Sequence, residues 1–483
     1  MTISIRLRQA AVLAAILSAP LSALRAEEPA TETPGRVEET AAAAASDPFP
    51  VPEEILGNVA FWKRVFAEWS LGQVALHDLE RPELVYAVLD LPGPIGDAYN
   101  PRQREFVRAE RTRLEARLLE IERRVALGAE LDDEDKALAL RIATTVGTDA
   151  LRGAHARVRS QRGLRERFRR GLEIGARYDA RFREAFRQAG LPEDLALLPH
   201  VESSFQTHAR SSAGAVGVWQ FTRAAARRFM TLTPAIDERL DPVAAARGAA
   251  RYLGAAWSEF GSWGLALTSY NHGLEGMRRA KAKFGTDFGR IVREYDGRTF
   301  GFASRNFYAE FLAAREIARE PARHFGEGLA FEAPLAHDET VLGRRMRPVQ
   351  IAREWGVPLG ELAEINPAWT RRAVRGGEAL PAGTLVWLPE GTLARRAASL
   401  RRDERRPAAG LPGPAASEGA SRGKPEGEDA IARAVVHVVR SGDTLFRIAR
   451  RYGVTLAELL GLNRLSADAI LRPGQRLFIP LSD

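Results

Sequence analysis

The sequence contains no cysteine among its 483 residues. This absence excludes a disulfide scaffold, a cysteine-ligated zinc site, an iron–sulfur cluster and a cysteine nucleophile. It also excludes lipid attachment through a cysteine at either end of the chain. After the N-terminal segment, no stretch approaches the roughly 18 consecutive apolar residues of a membrane-spanning helix, so we expect the mature chain to be soluble.

The sequence is also poor in lysine, since nearly all of its 70 basic side chains are arginine. Against 62 acidic residues they give a net charge of +8 and a pI of about 10. This excess favours polyanionic surroundings such as nucleic acid, anionic lipid or anionic wall polymer, without choosing among them. Hydrophobic residues make up 45% and charged residues 27% of the chain, which excludes a wholly disordered protein.

The first residues have the layout of a secretory signal. A short basic segment precedes the apolar run at 10–17, and small residues follow, with cleavage sites after Ala23 or Ala26. We therefore assign residues 1–26 to a signal peptide, the alternative being a buried N-terminal helix. An exported chain without cysteine fits the periplasm.

Composition divides the remainder into segments. The predicted segments are a flexible leader at 27–50, a helical N-terminal region at 51–190, a compact domain at 191–320, a small unit at 336–390, a disordered linker at 402–430 and a final unit at 434–481. The arginine-dense run at 157–187 carries apolar residues at helical spacing. It predicts a packed helix with a solvated basic face rather than a nucleic-acid site.

An internal repeat lies on either side of the linker. Residues 351–366 and 448–463 align without a gap, and each copy ends in a predicted strand. The expected order is strand, two short helices, strand. In the second copy Asp443 or Thr444 would accept the free backbone N–H groups of the first helix. From the residues alone, a purely structural βααβ unit remains an alternative.

The second copy resembles the LysM module through Gly442-Asp443-Thr444-Leu445, Gly453-Val454, Asn463 and Pro473-Gly474. The resemblance implies binding of glycans that contain N-acetylglucosamine, with Gly442, Asp443, Thr444 and Asn463 as binding candidates. The first copy is degenerate, because Arg345-Met346-Arg347 stands where Gly-Asp-Thr is expected. We expect it to share the fold and leave its glycan binding open.

The candidate catalytic residue is Glu202. It stands at the end of a helix predicted to begin near Pro192, beside apolar residues. A carboxylate at a helix C-terminus in such surroundings has its ionised form disfavoured. A carboxyl that keeps its proton near neutral pH suits a general acid. The position alone does not separate this role from that of an ordinary solvated glutamate.

Four segments together resemble the lysozyme-like family of lytic transglycosylases, of the membrane-bound murein transglycosylase D type. The matching motifs are Glu202-Ser203, Ser211, Gly217-Val218-Trp219-Gln220 and Ser269-Tyr270-Asn271. Ser269 replaces the family's alanine, and Asn306-Phe307-Tyr308 departs from the last motif. The implied fold is mainly α, with a helical N-terminal region, a lysozyme-like α-rich catalytic domain and two small βααβ LysM modules, the first degenerate.

The resemblance also implies a reaction. Glu202 would protonate the bond between N-acetylmuramic acid and N-acetylglucosamine, and the muramic 6-hydroxyl would then attack C1 to leave a 1,6-anhydro end. Ser203, Ser211, Gln220, Tyr270 and Asn271 would bind substrate. No cofactor or metal is implied, and the histidines show no ligand spacing. The expected partner is the peptidoglycan glycan strand and not nucleic acid, with peripheral association with the envelope left open.

Two alternatives stay open. The first is a muramidase that uses water on the same fold, and the second is an inactive glycan-binding wall protein. No motif places a second carboxylate opposite Glu202, although Asp237, Glu238 or Asp241 can approach it in three dimensions. Asp241 precedes a helix, so we expect it to cap that helix.

Overall fold

The structure is a computed structural model that describes residues 47–404 and, further on, 435–439, 443, 445–452, 454, 456–463, 465, 471 and 474–479. The predicted signal peptide, nearly all of the leader, most of the linker, Gly442 and Thr444 lie outside the described residues. By their internal contacts, the described residues form two compact units that divide between Glu390 and Gly391. The other domain boundaries stay predictions.

The N-terminal region combines helices with a small sheet. Its elements are a 3₁₀ turn (Glu53–Ile55), α1 (Leu56–Ala67), β1 (Gln73–Asp78), β2 (Val85–Asp90), α2 (Pro101–Leu127), α3 (Asp133–Val146), β3 (Val158–Arg162), α4 (Arg165–Gly175) and α5 (Asp179–Gln188). The strands form an antiparallel sheet in the order β2-β1-β3. The sequence analysis predicted a helical region here and did not predict the sheet. Five of the six residues of β1 are buried, so the strand lacks the in–out alternation that reveals a half-buried strand.

The arginine-dense run is a strand and two helices rather than one helix. It comprises β3, α4 and α5, and α4 and α5 are separated at residues 176–178. Its apolar side chains are buried in the main core, as predicted, and they include Phe168, Phe182 and Phe186. The arginines that alternate with them form ion pairs on the surface, such as Arg187 with Glu193 at 2.7 Å. The buried apolar side and the solvated basic face that the periodicity indicated are therefore both observed, although not on a single helix.

The central part of the chain is helical. It contains a 3₁₀ turn (Glu193–Leu197), α6 (Pro199–Glu202), α7 (Arg223–Phe229), α8 (Pro242–Phe260), α9 (Trp263–His272), α10 (Leu274–Phe284), α11 (Phe288–Glu294), α12 (Phe302–Arg319) and α13 (Pro321–Phe325). These helices share one hydrophobic core with α1, α4 and α5. In particular, α12 packs against both α1 and α6. The N-terminal region therefore supports the central helices directly.

The first repeat copy is built from β4 (Asp338–Val341), α14 (Pro348–Trp355), α15 (Leu359–Ile365), α16 (Arg371–Val374) and β5 (Leu385–Leu388). β4 and β5 pair antiparallel, and α16 occupies the longer second half of this copy. Trp387 joins the copy to the central helices, because its Nε1 donates to Asp241 Oδ2 at 2.6 Å. Ile236 and Trp369 form a second junction through an isolated bridge.

The second unit contains α17 (Thr392–Glu404), β6 (Val435–Val438), α18 (Leu445–Tyr452), α19 (Leu456–Asn463) and β7 (Arg476–Ile479). β6 and β7 pair antiparallel around a small core that includes Ile448, Leu459 and Ile479. The predicted order of strand, two helices and strand is observed in the second copy, whereas the first copy has a third short helix, α16, before its closing strand. The mainly α fold is confirmed. Of the helices in the described part, none combines the length and hydrophobicity that crossing a membrane requires.

Candidate functional site

Glu202 is the last residue of α6, a helix of one turn. Pro199 begins the helix. Leu195 in the preceding 3₁₀ turn and Leu198, just before Pro199, anchor it with fully buried side chains. The Glu202 N–H donates to the Leu198 carbonyl at 3.2 Å. The side chain is half-buried. The helix end predicted from the sequence is therefore observed, although the helical segment is a 3₁₀ turn followed by one α-turn rather than a continuous helix from Pro192.

The Glu202 carboxyl holds its proton more tightly than an ordinary glutamate. Burial raises its pKa to about 8, with a smaller part of the shift coming from repulsion by the nearby Glu310 carboxyl. Among the described residues, no hydrogen bond opposes this shift. A group with this pKa is protonated at neutral pH and can therefore donate a proton to a leaving oxygen.

The backbone beside Glu202 is held in an unusual conformation. Among the described residues, three that are not glycine have positive φ: Ser204 at 49°, Phe205 at 59° and Gln220 at 47°. Side chains larger than glycine rarely adopt this left-handed region, and each such residue costs roughly 1–3 kcal/mol. All three lie in the Glu202-Ser203 and Gly217–Gln220 segments or beside them. Among the described residues, backbone strain of this kind is therefore concentrated in the segments where the sequence predicted the site.

Hydrogen bonds between side chains and backbone atoms hold the 202–203 and 217–220 segments together. The Ser203 hydroxyl donates to the Val218 carbonyl at 2.7 Å. The Gln220 amide donates to the carbonyls of Gly217 at 2.7 Å and Ala209 at 3.3 Å, and the Ser211 hydroxyl accepts from the Ala215 N–H at 3.0 Å. These three predicted substrate-binding residues thus hold the loop at 203–220 in place. Their contact with substrate stays a prediction.

Gly217 is required for the close approach within this loop. Its φ is +76°, and a Cβ at this position would lie 2.2 Å from the Arg239 carbonyl oxygen. A side chain therefore conflicts both with the backbone conformation and with a fixed backbone atom.

Helix α9 brings Tyr270 and Asn271 to the site. The Tyr270 hydroxyl donates to the Trp219 carbonyl at 2.8 Å, which links α9 to the 217–220 segment. Burial raises the Tyr270 pKa well above its usual value, and Glu202 adds to the shift, so the two groups are neighbours. Asn271 is exposed, and its Oδ1 accepts from the Ser304 hydroxyl at 2.9 Å. Phe307 and Tyr308, from the divergent last motif, are both buried in the core.

The three other carboxylates considered from sequence are engaged elsewhere. Asp241 caps α8 as predicted, because its Oδ1 accepts from the N–H groups of Val243 and Ala244, both at 2.9 Å. Asp237 pairs with Arg239 at 2.7 Å. Glu238 accepts from the Thr231 N–H at 2.6 Å. None of the three is a source of the electrostatic shift at Glu202.

Sequence reasoning missed Glu310, the carboxylate that does interact with Glu202. It lies on α12 in the segment 300–314, which the sequence analysis noted for its aromatic residues. One signal was present, since an acidic residue stands beside Phe311 and Leu312 in an apolar stretch of helix. A glutamate in such a stretch is usually exposed, and one that is not exposed is a candidate functional residue. Glu310 is half-buried.

In the second unit, two of the four predicted glycan-binding residues are described. Asp443 Oδ2 lies 2.8 Å from His437 Nε2. The Asn463 amide bonds the backbone of β7 at Phe478, just as Asn366 bonds Trp387 in the first copy. These contacts give Asn463 a structural role in closing the module. Glycan binding by Asp443 and Asn463 stays a prediction.

A cavity of about 760 Å³ lies elsewhere, between the start of α1, the turn before β2 and the start of α12. Its lining does not include Glu202, so the cavity is not the chemical site. Within the described residues, no cluster of three or more side chains is suited to hold a metal ion.

Two family models match segments of this chain that contain the residues described above. Residues 181–290 match the transglycosylase SLT domain, and residues 437–480 match the LysM domain. All six site residues from Glu202 to Asn271 lie within the first match, whereas Glu310 lies outside it. The resemblance to these two families is confirmed.

Individual relatives share limited sequence identity with this chain or match only a short part of it. The chain is 28% identical over 306 residues to the membrane-bound lytic murein transglycosylase D of two Escherichia coli strains, a match that covers 61% of this chain and 61% of the relative. The chain thus spans about three fifths of the length of these curated relatives. A putative sporulation-specific glycosylase of Bacillus subtilis is 48% identical over 46 residues, which are 10% of this chain and 11% of its own. A solved lytic transglycosylase Slt of Pseudomonas aeruginosa has 20% identity and a TM-score of 0.25, over 32% of this chain and 25% of its own.

Proposed function

We propose that this chain, which carries a transglycosylase SLT domain and a LysM domain, is an exported lytic transglycosylase that cleaves the β-1,4 bond between N-acetylmuramic acid and N-acetylglucosamine in peptidoglycan. The observation that carries the proposal is Glu202, a half-buried carboxyl at a helix end whose pKa is raised to about 8. Such a group can deliver a proton to a glycosidic oxygen at the pH of a cell envelope.

The proposed reaction needs one proton, which returns to its donor. Glu202 gives its proton to the bridging oxygen as the bond to C1 of the muramic sugar breaks. The acetamido group of that sugar supports the positive charge on C1. The 6-hydroxyl of the same sugar then bonds to C1, and its proton passes to the Glu202 carboxylate. Because the nucleophile belongs to the substrate, no water has to be held in position.

The remaining site residues have two proposed tasks. Ser203, Ser211 and Gln220 keep the loop at 203–220 in the shape that presents Glu202. Tyr270 and the exposed Asn271 lie on the opposite helix, where they can orient the sugar and limit solvent access to the acid. The proposed partner of the LysM domain is the glycan strand, and the proposed location is the periplasm.

The decisive experiment is cleavage of purified peptidoglycan in heavy-oxygen water. We expect muropeptides whose muramic ends are anhydro, carry no heavy oxygen and do not react with borohydride. The measurement is mass spectrometry of the released ends. Heavy oxygen at C1 in most of the product would show hydrolysis, and the protein would then be a muramidase. No release at any pH would favour a glycan-binding wall protein.

A further inference from the structure

The cavity of about 760 Å³ at the start of α1 is a polar site that the proposed reaction does not use. Besides the start of α1, its walls come from the turn before β2, the end of α11 and the start of α12. Four glutamates and three arginines are among the lining residues. A cavity of this volume is large enough for a small ligand. Because both signs of charge line it, the cavity suits a ligand that itself carries both.

Part of this charge is already engaged within the protein. Glu54 pairs with Arg293 at 3.2 Å, and Arg305 Nη2 donates to the Tyr295 carbonyl at 2.7 Å. Glu53 and Arg81, in contrast, are exposed at the cavity, and neither forms an ion pair with another described residue. One carboxylate and one guanidinium are therefore accessible to a ligand.

Helix α12 connects the cavity to the Glu202 site. Phe302 and Asn306 line the cavity, and Glu310 follows at the same spacing, so the three lie on one face of the helix. Glu310 is the carboxyl that neighbours Glu202. At 1.5 Å per residue, about 12 Å of helix separate Phe302 from Glu310. This is the distance that a ligand must span to occupy both sites.

Arg159 lies beside this stretch of α12. It projects from β3, is exposed, and holds its guanidinium 4.1 Å from the centre of the Phe302 ring. Within the described part of the chain, Arg159 makes no ion pair and no side-chain hydrogen bond. A guanidinium placed over an aromatic ring keeps its N–H groups directed outward, where they can hold a carboxylate in a bidentate fashion. The path from Glu202 to the cavity thus passes an unpaired cation.

We propose that the cavity, together with Arg159, binds the stem peptide that the muramic sugar carries. This inference rests on the proposed function, because it concerns the substrate of the Glu202 site. The peptide begins on the sugar whose bond is cleaved. An extended chain spans about 3.3 Å per residue, so about four residues cover the 12 Å along α12. Arg159 and Arg81 suit the carboxylates of such a peptide, and Glu53 suits the ammonium group of its diamino acid.

The first test compares two substrates of the full chain, which are soluble glycan chains with their stem peptides and the same chains after an amidase has removed the peptides. In Arg81→Gln and in Arg159→Gln, kcat/KM on the peptide-bearing chains should fall about three- to fivefold through KM, the size of one exposed ion pair. The double variant should lose about tenfold. On stripped chains all three variants should stay within about 1.5-fold of wild type.

The matched control is Arg108→Gln, which removes an exposed arginine on α2 that does not line the cavity. It should leave kcat/KM unchanged on both substrates. Equal losses on peptide-bearing and stripped chains would assign the cavity to the glycan and overturn the proposal. Unchanged kcat/KM on both substrates in the double variant would overturn it as well.

The second test measures binding without turnover. In the Glu202→Gln background, calorimetry should show that Glu53→Gln weakens binding of a muropeptide with a free ammonium group about threefold. The same substitution should not change binding of that muropeptide after acetylation of its ammonium group. An equal effect on both ligands would contradict the assignment of Glu53. If wild type cleaves neither substrate of the first test, the proposed function fails, and the calorimetry still decides whether the cavity takes a peptide.

Discussion

At the scale of the single residue, burial determines what Glu202 can do. An exposed glutamate is ionised at neutral pH and has no proton to give, whereas the half-buried Glu202 retains its proton up to about pH 8. The helix end contributes in the same direction, because the last carbonyls of a helix carry partial negative charge. The proposed role of Glu202 as a general acid thus depends on its location and not on residue type alone.

The first residue-scale prediction concerns Glu202→Gln. The amide keeps the shape of the side chain but has no transferable proton, so muropeptide release should fall by at least about 100-fold. The matched control is Glu193→Gln, which changes an acid at the start of the same helical segment and should retain near-normal release. Comparable release by the two variants would remove Glu202 from the mechanism.

The same substitution should also stabilise the protein at high pH. The folded-state pKa of Glu202 lies above the unfolded value, so wild type loses stability as pH rises from about 4.5 to about 8. The full pKa shift corresponds to about 5 kcal/mol in the free energy of unfolding. Because Glu202 is partly exposed, we expect a loss of about 1–3 kcal/mol. Urea unfolding at pH 5 and pH 9 measures the difference. A constant difference across this range would contradict the raised pKa.

Residue identity and spacing were enough to predict the capping role of Asp241, and the family resemblance placed Glu202 and Tyr270 among the candidate site residues. They were not enough for Glu310. Its nearness to Glu202 depends on how α12 crosses α6, and these helices are far apart in the chain. No local pattern records such a contact.

At the scale of elements, the two repeat copies share a fold but differ in their surroundings. In the first copy, Met346 is buried at the position where the second copy has Asp443, and Trp387 bonds the N-cap of α8. The first copy is therefore packed as part of the unit that contains Glu202. The repeat pattern predicted both folds, but it contained nothing about this packing, which depends on Trp387 meeting Asp241.

The element-scale prediction concerns this junction. Trp387→Phe removes the indole N–H and leaves a buried Asp241 oxygen without its donor, so unfolding in urea should be easier by about 1–3 kcal/mol. Trp369→Phe is the matched control, because Trp369 is also buried in the first copy but its Nε1 has no partner among the described residues. Equal losses in the two variants would show that volume, and not the bond to Asp241, supports the junction.

At the scale of the whole molecule, chemistry and the second repeat copy fall in different units. The boundary between Glu390 and Gly391 leaves the whole Glu202 site, with its supporting N-terminal region, in the first unit. The cleavage that we propose would therefore belong to the first unit, and the glycan binding that we propose for the second copy would belong to the second unit.

The molecule-scale prediction is that a chain ending at Glu390 cleaves soluble glycan fragments at a rate within about threefold of the full chain. It should bind insoluble sacculi more weakly, because the avidity contributed by the LysM domain is lost. Co-sedimentation with sacculi and fragment cleavage measure the two properties separately. Equal sedimentation of both chains would refute an anchoring role for the second unit.

The residues with left-handed backbone conformation beside Glu202 have a consequence for how the sequence can evolve. Ser204 and Gln220 each hold a conformation that glycine would adopt at lower cost. Selection for heat resistance alone would therefore reward glycine at these positions, while selection for turnover would resist it, because the loop that presents the acid would loosen. Stability and the proposed catalysis therefore place opposite demands on the same few backbone angles, so variants selected for stability alone should lose activity and keep the fold.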